Sequence, residues 1–126
     1  MSNGTLKIEG ARFILTVDAK RRIIRDGSIL IEGQRITQVG KASELAAVPA
    51  DRVVDAREMV VTPGFCNGHM HLSYAHATRG IFPDDLDPGE YLANVFKLQA
   101  AMTEEEEYQT SLLGLTKLLK YGTTCL

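Results

Sequence analysis

Cysteine is scarce in this chain, and its scarcity excludes several kinds of protein. The 126 residues include only two cysteines, Cys66 and Cys125, and these do not form a CxxC motif. A disulfide framework or a cysteine-rich zinc site needs more cysteines at closer spacing, so we predict neither. A reducing cytoplasm fits this composition best.

The chain also lacks a large excess of one charge and a long apolar run. Its 14 Lys and Arg residues against 16 Asp and Glu residues give a net charge of −2, with a sequence pI near 5.9. That balance attracts neither nucleic acid nor an anionic membrane, so we expect no such partner. No segment approaches the roughly 20 apolar residues that cross a bilayer, and residues 1–10 do not resemble a signal peptide.

The residues that are present suit a globular protein, with 44% hydrophobic and 24% charged residues. Residues 5–61 consist of short, β-branched runs separated by glycine, which predicts a compact antiparallel sheet. The predicted strands are residues 6–9, 11–17, 22–25, 28–32, 35–39 and 52–55. Turns are expected at Asp26 with Gly27 and at Gly33 with Gln34.

After Pro63 and Gly64 the pattern changes, which predicts a boundary between one unit at residues 1–62 and another at residues 63–126. Asp87 before Pro88 is a helix start signal, and we predict a helix over residues 88–101.

A second helix is expected to begin at Thr103, which forms a capping pattern with Glu106. Its apolar residues recur at helical spacing at Tyr108, Leu112, Leu115 and Leu119. Gly122 ends this helix, and a further strand is predicted to begin at Thr123.

The stretch with the most chemistry is the extended run over residues 65–72. Side chains two residues apart in a strand point the same way, so His69 and His71 should share one face with Asn67. Two imidazoles on one face can bind one metal ion, and imidazole suits zinc or iron. By spacing alone, the alternative is a pair of ordinary polar histidines.

The sequence PGFCNGHMHL in this stretch resembles the first barrel strand of the amidohydrolase superfamily. The glycine-punctuated sheet before it is similar to the small β-sandwich of that family. Residues 118–125 resemble the segment that closes the first barrel helix and enters strand two. Arg79, Gly80 and Ile81 are similar to the branch that contains cytosine and guanine deaminases, triazine deaminases and chlorohydrolases.

This resemblance implies an α/β fold, namely the start of a TIM-type (β/α)8 barrel preceded by a β-sandwich subdomain. It implies that the chain is truncated, because a complete barrel takes roughly 250 residues. It also implies one divalent metal ion, zinc or iron, bound by His69 and His71. The other ligands and the catalytic acid and base of the family lie on later strands, so no catalytic residue is expected among these 126.

Three residues after the histidine pair are candidates for substrate binding, because barrel active sites are built from loops at the carboxyl ends of strands. These are Tyr74, Arg79 and Phe82, which could equally cover the top of the barrel. His76 has no counterpart in the family pattern and is expected in a loop or at a pocket rim. Cys66 is expected in the core. Thr116 or Lys117 stands where many relatives carry a glutamate.

The function that the resemblance implies is deamination of a ring amidine of purine, pyrimidine, pterin or triazine type by a metal-activated water. The partner would be a small heterocyclic substrate, and the oligomeric state stays open, a homo-oligomer included. One alternative is hydrolysis of a cyclic amide, as in hydantoinases, dihydroorotases or imidazolonepropionases. Others are a small metal-binding module that also uses His76, and a non-catalytic β-sandwich with structural histidines. The 126 residues alone are expected to be inactive.

Overall fold

The structure is a computed structural model that describes residues 4–83 and 85–126. The chain divides into two compact units, Met1–Pro63 and Gly64–Leu126. Strands and helices both occur, which confirms the predicted α/β class. The assignment of the two units to a sandwich and a barrel stays a prediction.

The first unit is a five-stranded sheet. Its strands are β1 (Thr5–Leu15), β2 (Ile23–Glu32), β3 (Arg35–Lys41), β4 (Arg52–Asp55) and β5 (Val60–Val61). The strand order is β3-β2-β1-β4, and β5 also pairs with β1. β2 runs antiparallel to β1 and to β3, whereas β4 and β5 run parallel to β1.

The prediction of an all-antiparallel sheet is therefore wrong at β4 and β5. Antiparallel neighbours arise from hairpins, and hairpins connect β1 to β2 and β2 to β3. The chain instead reaches β4 through residues 42–51, which carry it to the other side of β1, so the new strand points the same way as β1.

Of the two predicted turns, the one at Gly33 is confirmed and the one at Gly27 is wrong. Gly33 has φ +60 in the two-residue turn between Glu32 and Arg35. Gly27 lies inside β2, opposite Ala11, beside the β-bulge that interrupts the register after Ile8. A methyl group on Gly27 would lie 2.5 Å from Cδ1 of Ile14, so the glycine permits close packing rather than a turn.

The core of this unit lies between the sheet and the segment that follows β4. Ala11, Ile14, Ile29 and Ala56 form its buried cluster. Lys7 is also buried, and its charge is compensated by an ion pair of 2.8 Å with Glu9 and a hydrogen bond of 3.1 Å that it donates to the carbonyl of Val48. A buried charge with such partners is tolerated because its desolvation is offset.

The described residues of the second unit, 64–83 and 85–126, form two parallel strands and three helices. They are β6 (Phe65–Cys66), α1 (Tyr74–Ala77), α2 (Pro88–Ala101), α3 (Glu104–Lys120) and β7 (Thr123–Cys125). β6 and β7 pair in parallel, and the helices form the crossover that a parallel connection requires. None of the helices in the described parts of the chain is long and apolar enough to span a membrane.

Local signals account for the helix ends. The carboxylate of Asp87 accepts hydrogen bonds from the backbone N–H groups of Gly89 (2.8 Å) and Glu90 (3.3 Å) at the start of α2. Thr103 and Glu106 form a reciprocal capping box at the start of α3. Both predicted helices are thus confirmed, because capping depends on residues within one turn.

The apolar faces predicted for these helices are only partly covered. Val95 of α2 is completely buried, whereas Phe96 is 58% exposed and Leu119 of α3 is 64% exposed. Helical periodicity identifies an apolar stripe, but it does not tell which residues of the stripe meet another element.

The extended run predicted over residues 65–72 is a strand only at Phe65–Cys66. Its partner β7 has three residues, so the ladder ends where the N–H of Asn67 donates to the carbonyl of Cys125 at 2.9 Å. After that bond the chain is irregular and bends at Gly68.

Candidate metal site

The histidine pair follows directly from the end of β6. Asn67 makes the last hydrogen bond to β7, and its side-chain oxygen accepts a hydrogen bond of 3.1 Å from the backbone N–H of His69. This bond ties the backbone at His69 to the residue that ends the ladder. This hydrogen bond spans the bend at Gly68, and both histidines follow that bend.

His69 and His71 converge on one point. Their Nε2 atoms lie 3.2 Å apart, and their ring centroids are 5.1 Å apart with the planes at 75°. Both side chains are solvent-exposed. Two nitrogens bound tetrahedrally to one zinc ion at about 2.0–2.1 Å would lie about 3.3 Å apart, so this pair fits two positions of a metal site.

Tyr74, one of the three predicted substrate residues, lies beside this pair. Its ring centroid is 5.1 Å from that of His71, with the planes at 37°. Tyr74 is the first residue of α1, so the short helix places an aromatic ring next to the second histidine.

The other two predicted substrate residues lie elsewhere in the unit. Arg79 and Phe82 line a cleft of about 500 Å³ near the end of α1 and the start of α2. Tyr91 of α2 also lines this cleft, and its ring meets that of Phe82 edge to face with centroids 6.1 Å apart. Sequence reasoning missed Tyr91, although an aromatic residue in the first turn of a helix after an aromatic loop was an available signal.

His76 lies on the short helix α1 and not in the predicted loop. Its two ring nitrogens are enclosed without a hydrogen-bond partner among the residues that the structure describes. The ring packs on α3 at Gly114, where an added Cβ would lie 3.2 Å from Nδ1. Within residues 4–83 and 85–126 no group of three His, Cys, Asp or Glu side chains is placed to bind a metal ion.

The expectation that Cys66 is a core residue is wrong. Cys66 and Cys125 are both exposed free thiols, and they face each other across the β6–β7 ladder. The pKa of the Cys66 thiol is raised, first because its S–H donates to the Cys125 sulfur, and then by charge repulsion from that thiol and by desolvation. Alternation along the run predicted that Cys66 faces away from Asn67, but the elements that the structure describes leave the Cys66 side chain exposed.

Comparison with known proteins gives relatives along most of the chain. It is 34% identical over 122 residues to the 5-methylthioadenosine/S-adenosylhomocysteine deaminase of Caldicellulosiruptor saccharolyticus, a match that covers 94% of the chain and 28% of that enzyme. It is 33% identical over 113 residues to the 5'-deoxyadenosine deaminase of Methanosarcina barkeri, covering 89% of the chain and 25% of the enzyme. No protein-family model matches.

Solved structures resemble the chain as well. A triazine hydrolase variant superposes with a TM-score of 0.79 at 28% identity, over 96% of this chain and 27% of that one. The atrazine chlorohydrolase of Arthrobacter aurescens TC1, complexed with zinc, gives 0.79 at 28% identity over 94% of this chain and 27% of the other. An adenosine deaminase of Xanthomonas campestris with bound zinc gives 0.71 at 23% identity, over 95% and 27%, which supports the fold. The chain spans about a quarter of the length of the relatives it matches.

Proposed function

We propose that this chain, which is related in sequence and fold to the N-terminal part of amidohydrolase-superfamily enzymes, contributes the ligands His69 and His71 to the catalytic metal of a hydrolase. The reaction is hydrolysis of a C–N bond other than a peptide bond, with release of ammonia from a ring amidine. The convergence of the two Nε2 atoms to 3.2 Å is the observation that carries this proposal.

Zinc is the metal that we propose. Two imidazoles suit zinc, and zinc is present in the atrazine chlorohydrolase and adenosine deaminase that share this fold. When bound, such a metal lowers the pKa of a water molecule to near neutrality and so supplies a nucleophile.

The chain's own residues hold and orient the imidazoles. Asn67 fixes the backbone of His69 through a hydrogen bond of 3.1 Å. Tyr74 packs its ring beside His71. A catalytic zinc site uses three protein ligands and keeps one position open, so the pair requires a further ligand, and the chemistry also requires an acid and a base. We propose that the further ligand, the acid and the base are supplied by residues outside 4–83 and 85–126.

The proposed substrate is a heterocycle that carries an exocyclic amino group. The relatives by sequence are deaminases of 5'-deoxyadenosine and of 5-methylthioadenosine or S-adenosylhomocysteine, which favours deamination over opening of a cyclic amide. We further propose that β6 and β7 are the first two strands of a (β/α)8 barrel, with α2 and α3 in the crossover between them.

The metal part of the proposal can be tested on the 126-residue chain. Titration with zinc, followed by the ¹⁵N chemical shifts of the histidine rings, should move Nε2 of His69 and of His71. His69→Ala and His71→Ala should each weaken zinc binding by at least about tenfold, since either change removes one of two ligands. His76→Ala is the matched control and should bind as the parent does.

Two outcomes would contradict this assignment. Unchanged zinc affinity in both single variants would mean that the pair is not a metal site. Loss of affinity in His76→Ala would favour a self-contained three-histidine module, and it would require the ring to leave its packing against Gly114.

The activity is tested on the polypeptide as its source produces it. Loaded with zinc and given 5'-deoxyadenosine, it should release ammonia, and His69→Ala should lose bound zinc and activity together. Retention of zinc-dependent activity in His69→Ala would refute the catalytic assignment. If the protein hydrolysed only a cyclic imide, the assignment of the metal ligands would stand, but the proposed deamination of a ring amidine would be wrong.

A further inference from the structure

We infer that Cys66 and Cys125 are a reversible disulfide-forming pair that cross-links β6 to β7. The inference does not rest on the proposed function, because it concerns thiols of β6 and β7 that are not proposed as metal ligands. It concerns a modification of the thiols by a small-molecule disulfide, such as oxidised glutathione.

The strand pairing brings the two cysteines together. Cys66 pairs with Cys125 in the parallel ladder, just after a register shift between Phe65 and Cys66 that skips Thr124. Neighbouring strands lie about 4.8 Å apart, which falls within the Cα separation of about 4.4–6.8 Å that a disulfide needs. Side chains at paired positions project from the same face of the sheet, so both thiols point the same way.

Backbone hydrogen bonds on both sides of the register shift hold the strands together beside this pair. The N–H of Phe65 donates to the carbonyl of Gly122 at 2.8 Å, and the N–H of Asn67 donates to the carbonyl of Cys125 itself at 2.9 Å. The thiols are thus neighbours without any rearrangement of the strands. Both side chains are exposed, so a small oxidant can reach them.

The chemistry balances with one molecule of oxidant. The thiolate of one cysteine attacks a sulfur of oxidised glutathione, forms a mixed disulfide and releases one glutathione thiolate. The thiolate of the second cysteine then attacks the protein sulfur of that mixed disulfide and releases the second glutathione. Two thiols are oxidised, one disulfide is reduced, and the two protons go to the released thiolates.

The raised pKa of the Cys66 thiol agrees with this arrangement, since the side chain that raises it is that of Cys125. It also means that the reaction should accelerate as the pH rises above neutral. Both cysteines are exposed, and exposed disulfides are the more easily reduced. The cross-link should therefore reverse with a mild excess of reduced glutathione.

The test is oxidation of the dilute 126-residue chain with oxidised glutathione, followed by acid quenching and intact mass. The parent should lose two hydrogens and show little glutathione adduct, and peptide mapping should recover a Cys66–Cys125 cross-link. Cys66→Ser and Cys125→Ser should each stop at the mixed disulfide. Their adduct should exceed that of the parent at least about tenfold, because the second thiol acts intramolecularly at high effective concentration.

The same reaction in concentrated urea tests whether strand pairing, and not only membership of one chain, brings the thiols together. The cysteines are separated by 58 residues in sequence. Without the ladder they meet less often, so the amount of glutathione adduct on the parent should rise toward that of the serine variants. A parent chain that accumulates two glutathione adducts under folding conditions, or forms only intermolecular dimers, would overturn the inference. Equal adduct levels with and without urea would do so as well.

Discussion

Replacing Gly64 by alanine is expected to push β6 away from β7 and to destabilise the second unit. Gly64 stands immediately before β6, and a Cβ built there would lie 2.6 Å from Cγ2 and 2.7 Å from Cβ of Thr124, and closer still to its Oγ1. The glycine is required by this close approach and not by its own dihedral angles, since its φ is not positive.

The magnitude follows from two opposing terms. Overpacking of this kind costs about 1–3 kcal/mol, and here Cβ of Thr124 is attached directly to the backbone, so rotation of the side chain cannot relieve the clash. The loss of glycine freedom in the unfolded chain returns about 0.4–1 kcal/mol. The difference between the two ranges is about 0–2.6 kcal/mol. Because the clash cannot be relieved by rotation, we expect a net loss in the upper half, about 1.3–2.6 kcal/mol, together with weakening of the hydrogen bond between Phe65 and Gly122.

Urea denaturation followed by tyrosine fluorescence measures this loss in the correct unit. All four tyrosines of the chain lie beyond Gly64, so the signal reports on the second unit alone. Gly68→Ala is the matched control, because a Cβ at Gly68 meets nothing within 4 Å. It should leave the urea midpoint within the range of an ordinary surface change.

The double variant Gly64→Ala with Thr124→Gly tests the cause. Thr124→Gly removes all three atoms that the new methyl group meets, so the two changes together should cost less than the sum of each alone. Additive costs, or a Gly64→Ala protein as stable as the parent, would show that the strands do not approach as closely as described.

Two further substitutions test the N-terminal cap of α3 and the β-bulge in β1. Thr103→Ala removes the cap of α3 and should cost about 0.5–2 kcal/mol in urea unfolding. Because bonds from the backbone and side chain of Thr103 lower the pKa of Glu106 below its usual 4.5, their stabilisation is present above that value and is lost as the pH falls through the lowered pKa. Thr103→Ala removes the side-chain bond but keeps the backbone bond, so it should flatten this pH dependence in part, and an unchanged acid profile would contradict the assignment. Ser28→Ala leaves the N–H of Gly10 without its 3.1 Å acceptor in a half-buried bulge, so it should cost about 1–3 kcal/mol and speed hydrogen exchange of the Gly10 amide. Unaltered exchange would argue against this bond.

Features that depend on neighbours in sequence were predictable, whereas features that depend on distant packing were not. Asp87 and Thr103 mark the starts of α2 and α3 because a cap forms within one turn. Gly27 was predicted to turn the chain because glycine usually does so, but its small size is needed against Ile14, which is brought there by the register of β1 and β2.

The candidate site also has one part that could be predicted from neighbouring residues and one part that could not. Alternation along an extended chain predicted that His69 and His71 point together, and their nitrogens do converge although the residues are not in a ladder. The contact of Tyr74 with His71 and the inclusion of Tyr91 in the cleft depend on how α1 and α2 fold back, which spacing along the chain does not encode.

The described residues lack two things that additional polypeptide could supply, namely a further metal ligand and a cover for the exposed helix faces. The proposed zinc site has two imidazoles and so lacks a ligand, and exposed apolar residues such as Phe96 and Leu119 leave helix faces uncovered. A longer polypeptide would supply both, and so would a second copy of this chain. The intact mass and zinc content of the protein from its source decide between them. A mass near 13.8 kDa with one zinc per pair of chains would favour a shared site between copies. A much larger mass with one zinc per chain would place the missing ligands within the same polypeptide.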